Sequence, residues 1–506
     1  MDYDLILDDE FDALCLDVRD QDIASAKVKY PAKQHARRVV KELDVEHGII
    51  YLPGQPERLL EDSDQPRLFR QRRYFYYLSG ANFEDCAVTY EIGHDRLTLW
   101  IPYIEPRQVL WFGSKPSAAE CLRRYDVDEV RYTTQLNKFF RCYASSPSDR
   151  TTYILHPDQA PNLGSGARSH LRLDHSVLQP AMDRARLVKT EYEVAMIRHA
   201  NNISSAAHRK VAERITRLKN EREIEAIIQA VCIANGTRYQ AYPVIAGSGV
   251  NGSTLHYNAN NASLKGKQCV VLDAGCEWEC YASDITRTLP ISGCFPPKAA
   301  AIHAIVQRMQ NECIRQVRPG KLWHEIHLLA ASIGMDGLLK LGILKGDTEQ
   351  VARAGTVAAF FPHGLGHHVG LEVHDVSGSL PLATQGIQLE DGKRVMVTPG
   401  MLAQMMHVGD SEDANPVQQR KRQRLLPNMV VTVEPGIYFC REYLEGYFRN
   451  DPNHSRFIDW EVLEGYYEVG GVRIEDCILV TRDGFDNLTV APKGDELLDV
   501  INRGRK

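Results

Sequence analysis

The run Cys269-Val270-Val271-Leu272-Asp273 constrains this chain more than any other segment: an apolar stretch closes on a carboxylate, and a second carboxylate follows eleven positions later in Ser283-Asp284-Ile285-Thr286-Arg287-Thr288. A short apolar run bounded by turn residues, here Ala274-Gly275, reads as a buried strand. If the two segments form a hairpin with its two-residue turn at Trp278-Glu279, Asp273 faces Asp284. Facing residues in such a pair have Cβ atoms roughly 4.5 to 5.5 Å apart. Two carboxylates that close repel each other unless a proton or cations lie between them, and two metal ions about 3.5 to 4 Å apart meet that demand. An aspartate that only ends a strand or caps a turn leaves the same trace, so the pair gains weight from what accompanies it.

Three further segments bear the same kind of side chain. His363-Gly364-Leu365-Gly366-His367 has the four-residue spacing of helical zinc proteases, but glycine stands where their glutamate would be, and two glycines in five positions argue against a helix. A strand or loop carrying His363, His367 and His374 is the expectation. Glu434 closes the apolar run Met429-Val430-Val431-Thr432-Val433 ahead of Pro435-Gly436, and Arg473 and Glu475 lie two apart, hence on one face of a strand. Four carboxylates and one imidazole at strand ends make a hard donor set suited to Mn(II), Co(II) or Zn(II), the oxygen majority favouring Mn(II). Cys276 and Cys280 have no second closely spaced pair, which argues against a cysteine-based zinc site.

At 506 residues the chain exceeds what one core sustains. The α/β patterning of residues 36 to 175, with strands expected at Gly48–Leu52 and Leu97–Ile101, changes at Leu178-Gln179-Pro180, so two domains are expected, 1–180 and 181–506. The second opens on a capping box, Thr190 with Glu193, and a further helix runs from Asn220 to the stop Asn235-Gly236. Strands follow from Tyr242 to Ile291, then a helix with Ile302, Ile305, Val306, Met309 and Cys313 on one face, a fourth helix from Leu322 to Leu339, and extended chain to Val480. That order predicts two αβ halves about one mostly antiparallel sheet. The polar stretch from Val376 to Asn428, with its basic run Arg420-Lys421-Arg422-Gln423-Arg424, reads as a solvated excursion.

A net charge of -6 gives no general attraction to nucleic acid or anionic lipid. The acidic opening residues Asp2, Asp4, Asp8, Asp9, Glu10 and Asp12 do not resemble an export signal, no stretch is apolar enough to span a bilayer, and the 12 scattered cysteines read as reduced, mostly buried thiols. A cytoplasmic protein that binds neither nucleic acid nor membrane is the expectation.

Together Asp273-Ala274-Gly275, Ser283-Asp284-Ile285-Thr286-Arg287-Thr288, His363-Gly364-Leu365-Gly366-His367, Val373-His374-Asp375-Val376, Glu434-Pro435-Gly436-Ile437-Tyr438 and Arg473-Ile474-Glu475-Asp476 resemble the motifs of the pita-bread metallopeptidases, in the branch of the Xaa-Pro aminopeptidases and prolidases. Tyr30-Pro31-Ala32-Lys33-Gln34-His35 and the segment from Phe69 to Tyr77 are similar to that branch's N-terminal domain. The resemblance implies an α/β N-terminal domain before a pita-bread catalytic domain with a curved, mostly antiparallel sheet. It implies that Asp273, Asp284, His367, Glu434 and Glu475 hold two divalent ions, with Asp284 and Glu475 bridging, and that His256, His363, His374 and Arg473 are catalytic without being ligands. Glu434 is in addition the expected proton acceptor. The implied activity is removal of the residue before a second-position proline by metal-activated hydroxide, in a homodimer. A prolidase, restricted to dipeptides, and a metal-free binding protein of the same fold are the competing readings.

Overall fold

The computed structural model describes residues 29–145, 151–163, 171–376, 378, 382, 387–390, 393–396, 400, 403 and 422–503. The acidic opening residues and most of the stretch from Val376 to Asn428 lie outside them. The chain divides into a unit Asp20–Leu187 and a unit that includes Val188–Lys506. The compositional change near residue 180 falls at the start of the helix Leu178–Leu187, and the unit closes at that helix's end.

The first unit is built on six strands: β1 (Ile49–Pro53), β2 (Ala87–Glu91), β3 (Arg96–Ile101), β4 (Glu129–Tyr132), β5 (Thr152–Tyr153) and β6 (Leu173–Asp174). They form one sheet in the order β4-β3-β2-β1-β5-β6, antiparallel at β1–β2 and β2–β3 and parallel elsewhere. Both faces of the central strands are buried, with Ile49, Tyr51, Trp100 and Phe140 in one cluster, as covered mixed sheets require.

In the second unit every strand pair among the described residues is antiparallel. The first group is β7 (Tyr239–Gln240), β8 (Ile245–Ser248), β9 (Cys269–Asp273), β10 (Cys276–Trp278), β11 (Tyr281–Ala282) and β12 (Thr286–Pro290). A separate hairpin joins β13 (Ile387–Glu390) to β14 (Lys393–Met396). The last group is β15 (Val430–Val433), β16 (Gly436–Tyr438), β17 (Gly471–Arg473), β18 (Asp476–Val480) and β19 (Phe485–Asn487). β8, β9 and β12 form one sheet and β15, β18 and β19 another. The bridge between Thr286 and Glu475 joins the two groups, and Thr288 Oγ1 adds contacts of 3.0 and 3.1 Å to the backbone of Arg473.

Each group has a helix pair. Thr190 and Glu193 cap the helix Glu191–Arg214 reciprocally, and Asn220 and Glu223 do the same for Glu221–Ala234. Ile203, Ala207, Val211, Ile224, Ile228 and Val231 of these helices share a core with Val270 and Leu272 of β9. The second pair is Pro297–Gln316 and Trp323–Lys340. The expectation of extended chain from there to Val480 is only partly met: helices at Thr348–Ala354, Pro452–Ser455 and Trp460–Glu464 interrupt it, each opened by an aspartate whose side chain accepts a backbone N–H. The reading of the basic run as solvated also needs correcting at Gln423, which is buried and meets His368 Nε2 at 2.7 Å.

Candidate metal centre

The hairpin from β9 to β12 exists, with its turn one residue further along and each partner two residues beyond the expected one. Its turn is Glu279-Cys280 rather than Trp278-Glu279, Trp278 pairs with Tyr281, and Asp273 pairs with Thr286 rather than Asp284. The cause is local. Glu279 and Cys280 have φ of 46° and 66°, two successive left-handed residues as a primed turn requires, and neither is the Asn or Gly that announces such a turn in a sequence. Asp273 and Asp284 nevertheless converge, because Tyr242 Oη lies 2.6 Å from one carboxylate and 2.5 Å from the other. A phenol has one proton to give. Both contacts are satisfied only when something besides that proton neutralises the pair.

His367 enters from an irregular segment running beside β15, where the Thr432 N–H donates to the His367 carbonyl and the Glu434 N–H to that of Leu365. Gly366 is required there, since the Thr432 carbonyl occupies the space a Cβ would take. The His367 Nδ1–H donates to the His368 carbonyl at 3.0 Å, which leaves Nε2 as a lone pair 3.3 Å from both Asp284 Oδ2 and Glu434 Oε1. Burial holds this imidazole below its ordinary pKa, and its Nε2 faces two carboxyl oxygens.

Glu434 follows β15, and Glu475 lies between β17 and β18. Glu475 Oε2 accepts from Thr286 Oγ1 at 2.6 Å, whereas Oε1 is buried with no hydrogen-bond partner among the described residues. Ligand atoms of Asp284, His367 and Glu475 all lie within 4.8 Å of one another. Burial, and then neighbouring carboxylates, push Asp284, Glu434 and Glu475 well above the usual carboxylate range. Arg473 is the guanidinium inside this cluster, and its Nη2 meets Asp273 Oδ2 at 2.6 Å. One cation against four buried carboxylates leaves a deficit that divalent ions fit, and the orphaned Glu475 oxygen and the His367 lone pair point the same way.

The other expected residues fall around this cluster. His363 donates through Nδ1 to the Gly364 carbonyl and accepts from the Tyr438 hydroxyl, which accepts from Arg473 Nη1 at 2.9 Å. The chain His363–Tyr438–Arg473–Asp273 thus ties an imidazole to a carboxylate. The His374 ring meets the His367 ring edge-on at 4.3 Å. His256 is exposed on a turn, near enough to His363 and His374 to oppose their protonation.

Sequence reasoning assigned nothing to Tyr242, Thr286, Tyr438 or the side chains holding the histidine segment. His327 Nδ1 accepts from the Leu365 N–H at 3.2 Å, and Lys189 pairs with Asp375 at 2.9 Å in full burial. Thr286, Asp375 and Tyr438 left a signal, lying within the segments that carry Asp284, His374 and Glu434.

The profile described as "Metallopeptidase family M24" matches residues 195–482, and that of "Aminopeptidase P, N-terminal domain" matches residues 32–153. The chain belongs to metallopeptidase family M24, a class whose centre holds divalent metal ions, and it has the pita-bread fold. It is 75% identical over 509 residues to a probable Xaa-Pro aminopeptidase of Metarhizium acridum, covering 100% of both chains. It is 57% identical over 523 residues to a probable Xaa-Pro aminopeptidase of Colletotrichum graminicola, covering 99% of both. Among solved structures it is similar to zinc-substituted Escherichia coli aminopeptidase P in complex with product, at TM-score 0.73 and 26% identity over 95% of this chain and 100% of the other. The same enzyme with the inhibitor Pro-Leu matches at TM-score 0.74 and 26% identity, over 94% and 100%.

Proposed function

We infer that this chain is an Xaa-Pro aminopeptidase, a metallohydrolase that removes the first residue of a peptide whose second residue is proline. The observation that carries the chemistry is the meeting of Asp284 Oδ2, Glu434 Oε1 and the His367 Nε2 lone pair in a buried cluster with Asp273 and Glu475. In this reading Asp273, Asp284, His367, Glu434 and Glu475 would hold two divalent ions, Asp284 and Glu475 serving both. The donor majority of carboxylate oxygens favours Mn(II), with Co(II) and Zn(II) as alternatives. Bound divalent ions acidify water and polarise a carbonyl as Lewis acids.

The remaining roles belong to the chain's own side chains. Glu434 would accept the proton from the nucleophile and pass it towards the leaving amine. His256 and His374 donate to the substrate carbonyl and its tetrahedral successor, and His363, steadied by Tyr438, contacts the peptide. Arg473 fixes Asp273 and, through Tyr438, the orientation of His363. A tertiary amide has no N–H, so selection for proline rests on the shape of the pocket that takes its ring.

The names of the relatives disfavour a prolidase, and the convergence of the proposed ligands disfavours a metal-free binding protein. A cytoplasmic location is part of this reading, supported by eight buried cysteines and no disulfide among the described residues. No helix among the described residues is long and apolar enough to cross a membrane. The partner proposed is the peptide substrate, with neither nucleic acid nor membrane; the net charge of -6 gives no general attraction to either. A homodimer completes the proposal, supported by the exposed apolar run Leu110-Trp111-Phe112, the kind of surface a second copy covers. The deciding assay compares an Xaa-Pro-Xaa tripeptide with an Xaa-Pro dipeptide. We expect turnover of the tripeptide well above that of the dipeptide; turnover of the dipeptide alone contradicts the assignment.

A further inference from the structure

The residue before Tyr257 is His256, and Tyr257 is tied to a carboxylate that the metal centre does not use. Glu221, the first residue of the helix Glu221–Ala234, is fully buried and accepts five hydrogen bonds. Oε1 takes the Ser248 N–H at 2.9 Å, the Ser248 hydroxyl at 2.7 Å and Asn251 Nδ2 at 3.1 Å. Oε2 takes the Tyr257 hydroxyl at 2.8 Å and the Ala262 N–H at 2.9 Å. A carboxylate offers about four lone-pair positions, so this one is saturated, and its donors come from both ends and the middle of the segment Ser248–Ala262. Burial alone would push the Glu221 carboxyl up; the donors from Ser248, Ala262 and Tyr257 overcome it and hold it below its ordinary value.

The same segment is gripped on two further sides. Asn260 donates to Glu225 Oε2 at 3.0 Å and to the Val244 carbonyl at 2.8 Å, and accepts from the Ala246 N–H at 3.0 Å. Gly470 and Gly471, at the head of the strand that carries Arg473, lie so close to the carbonyls of Gly249 and Gly252 that a Cβ at either would collide with them. Within this frame His256 sits on a tight turn, bounded by the Thr254 N–H on the Asn251 carbonyl and the Tyr257 N–H on the Thr254 carbonyl.

We propose that Glu221 is a positioning residue for catalysis, acting through Tyr257 and Asn251 to hold His256 where it meets the substrate. The proposal rests on the reading of His256 as a substrate-contacting group. A displacement of about 1 Å at a reacting group costs about a hundredfold in rate.

The test is a double-mutant cycle between Glu221→Gln and His256→Ala, read as kcat and KM on an Xaa-Pro-Xaa tripeptide, with metal content and melting temperature measured on each protein. Glutamine keeps the shape but turns an NH2 towards donors. Glu221→Gln is expected to lower kcat by about ten- to a hundredfold with KM and metal content unchanged, and to lower it by less than about twofold when His256 is already alanine. Tyr257→Phe, which removes one hydroxyl, runs through the same cycle with a smaller loss and decides the matter if Glu221→Gln does not fold. A loss of equal size in both backgrounds overturns the proposal and leaves the role of His256 intact. Full activity in His256→Ala overturns both.

Discussion

Asp273 and Glu434 stand at the ends of β9 and β15, strands whose residues are all buried and whose backbones are paired in antiparallel ladders. His363, His367 and His374 ride instead on an irregular segment that bonds to the backbone of β15 and Glu434 at Leu365, His367 and Val369 and is braced by side chains from elsewhere: His327 on the Leu365 N–H, Gln423 on His368, Lys189 on Asp375. The carboxylates thus inherit their positions from the sheet, where moving one means breaking a ladder. The histidine segment has one short stretch of backbone bonding to β15 and otherwise depends on single side-chain contacts, each a separate point of failure. The difference predicts that damage to the first region removes the centre outright, whereas damage to the second leaves metal bound and spoils geometry.

The largest effect is expected at Asp284 and Glu475, the carboxylates proposed to serve both ions. Asp284→Ala or Glu475→Ala should abolish turnover and metal binding while the circular dichroism of the fold persists. Near-normal turnover with normal metal content in either variant would remove the bridging assignment and with it the contrast between the regions. Next come the histidines outside the ligand set. His256→Ala, His363→Ala and His374→Ala should each keep their metal and lose about a hundredfold or more in kcat. If these residues only fill space, melting temperature falls and turnover per folded molecule does not.

How far the two regions were legible in the sequence follows the same division. An apolar run closed by a carboxylate, as at Asp273 and Glu434, and reciprocal caps, as at Thr190 with Glu193, are local patterns that survive in one dimension. The hairpin register escaped because the left-handed pair Glu279-Cys280 lacks glycine or asparagine. Tyr242 escaped because nothing in its surroundings marks a hydroxyl shared by two distant aspartates. Lys189 lies 186 positions from its partner Asp375, and no periodicity relates them.

That pair gives the third prediction. Lys189→Met removes the cation from a buried ion pair, which costs about 3 to 5 kcal/mol of stability, measured by denaturant unfolding. The double variant with Asp375→Asn should recover most of it. A loss under 1 kcal/mol, on the order of what an exposed pair is worth, would show that the histidine segment does not depend on this contact.

The smallest effect is a pH dependence. His327 is held at about 4, by burial first and by His363 second, and burial lowers His208 and His303 to about 4 as well. In the unfolded chain these imidazoles take up protons near pH 6.5. Below that value the unfolded state therefore binds more protons than the fold, and stability declines as the pH falls from about 6.5 towards 4. We expect melting temperature to drop across that range, and less steeply in His327→Gln. A flat profile contradicts the neutral burial of these rings.

The central claim is that four carboxylates and one imidazole converge because metal ions lie among them, and metal titration tests it most directly. Protein stripped with a chelator should be inactive on an Xaa-Pro-Xaa tripeptide. Activity should return as divalent ion is added, Mn(II) most effectively, and saturate as elemental analysis reaches two ions per chain. Full activity in exhaustively stripped protein would contradict the account.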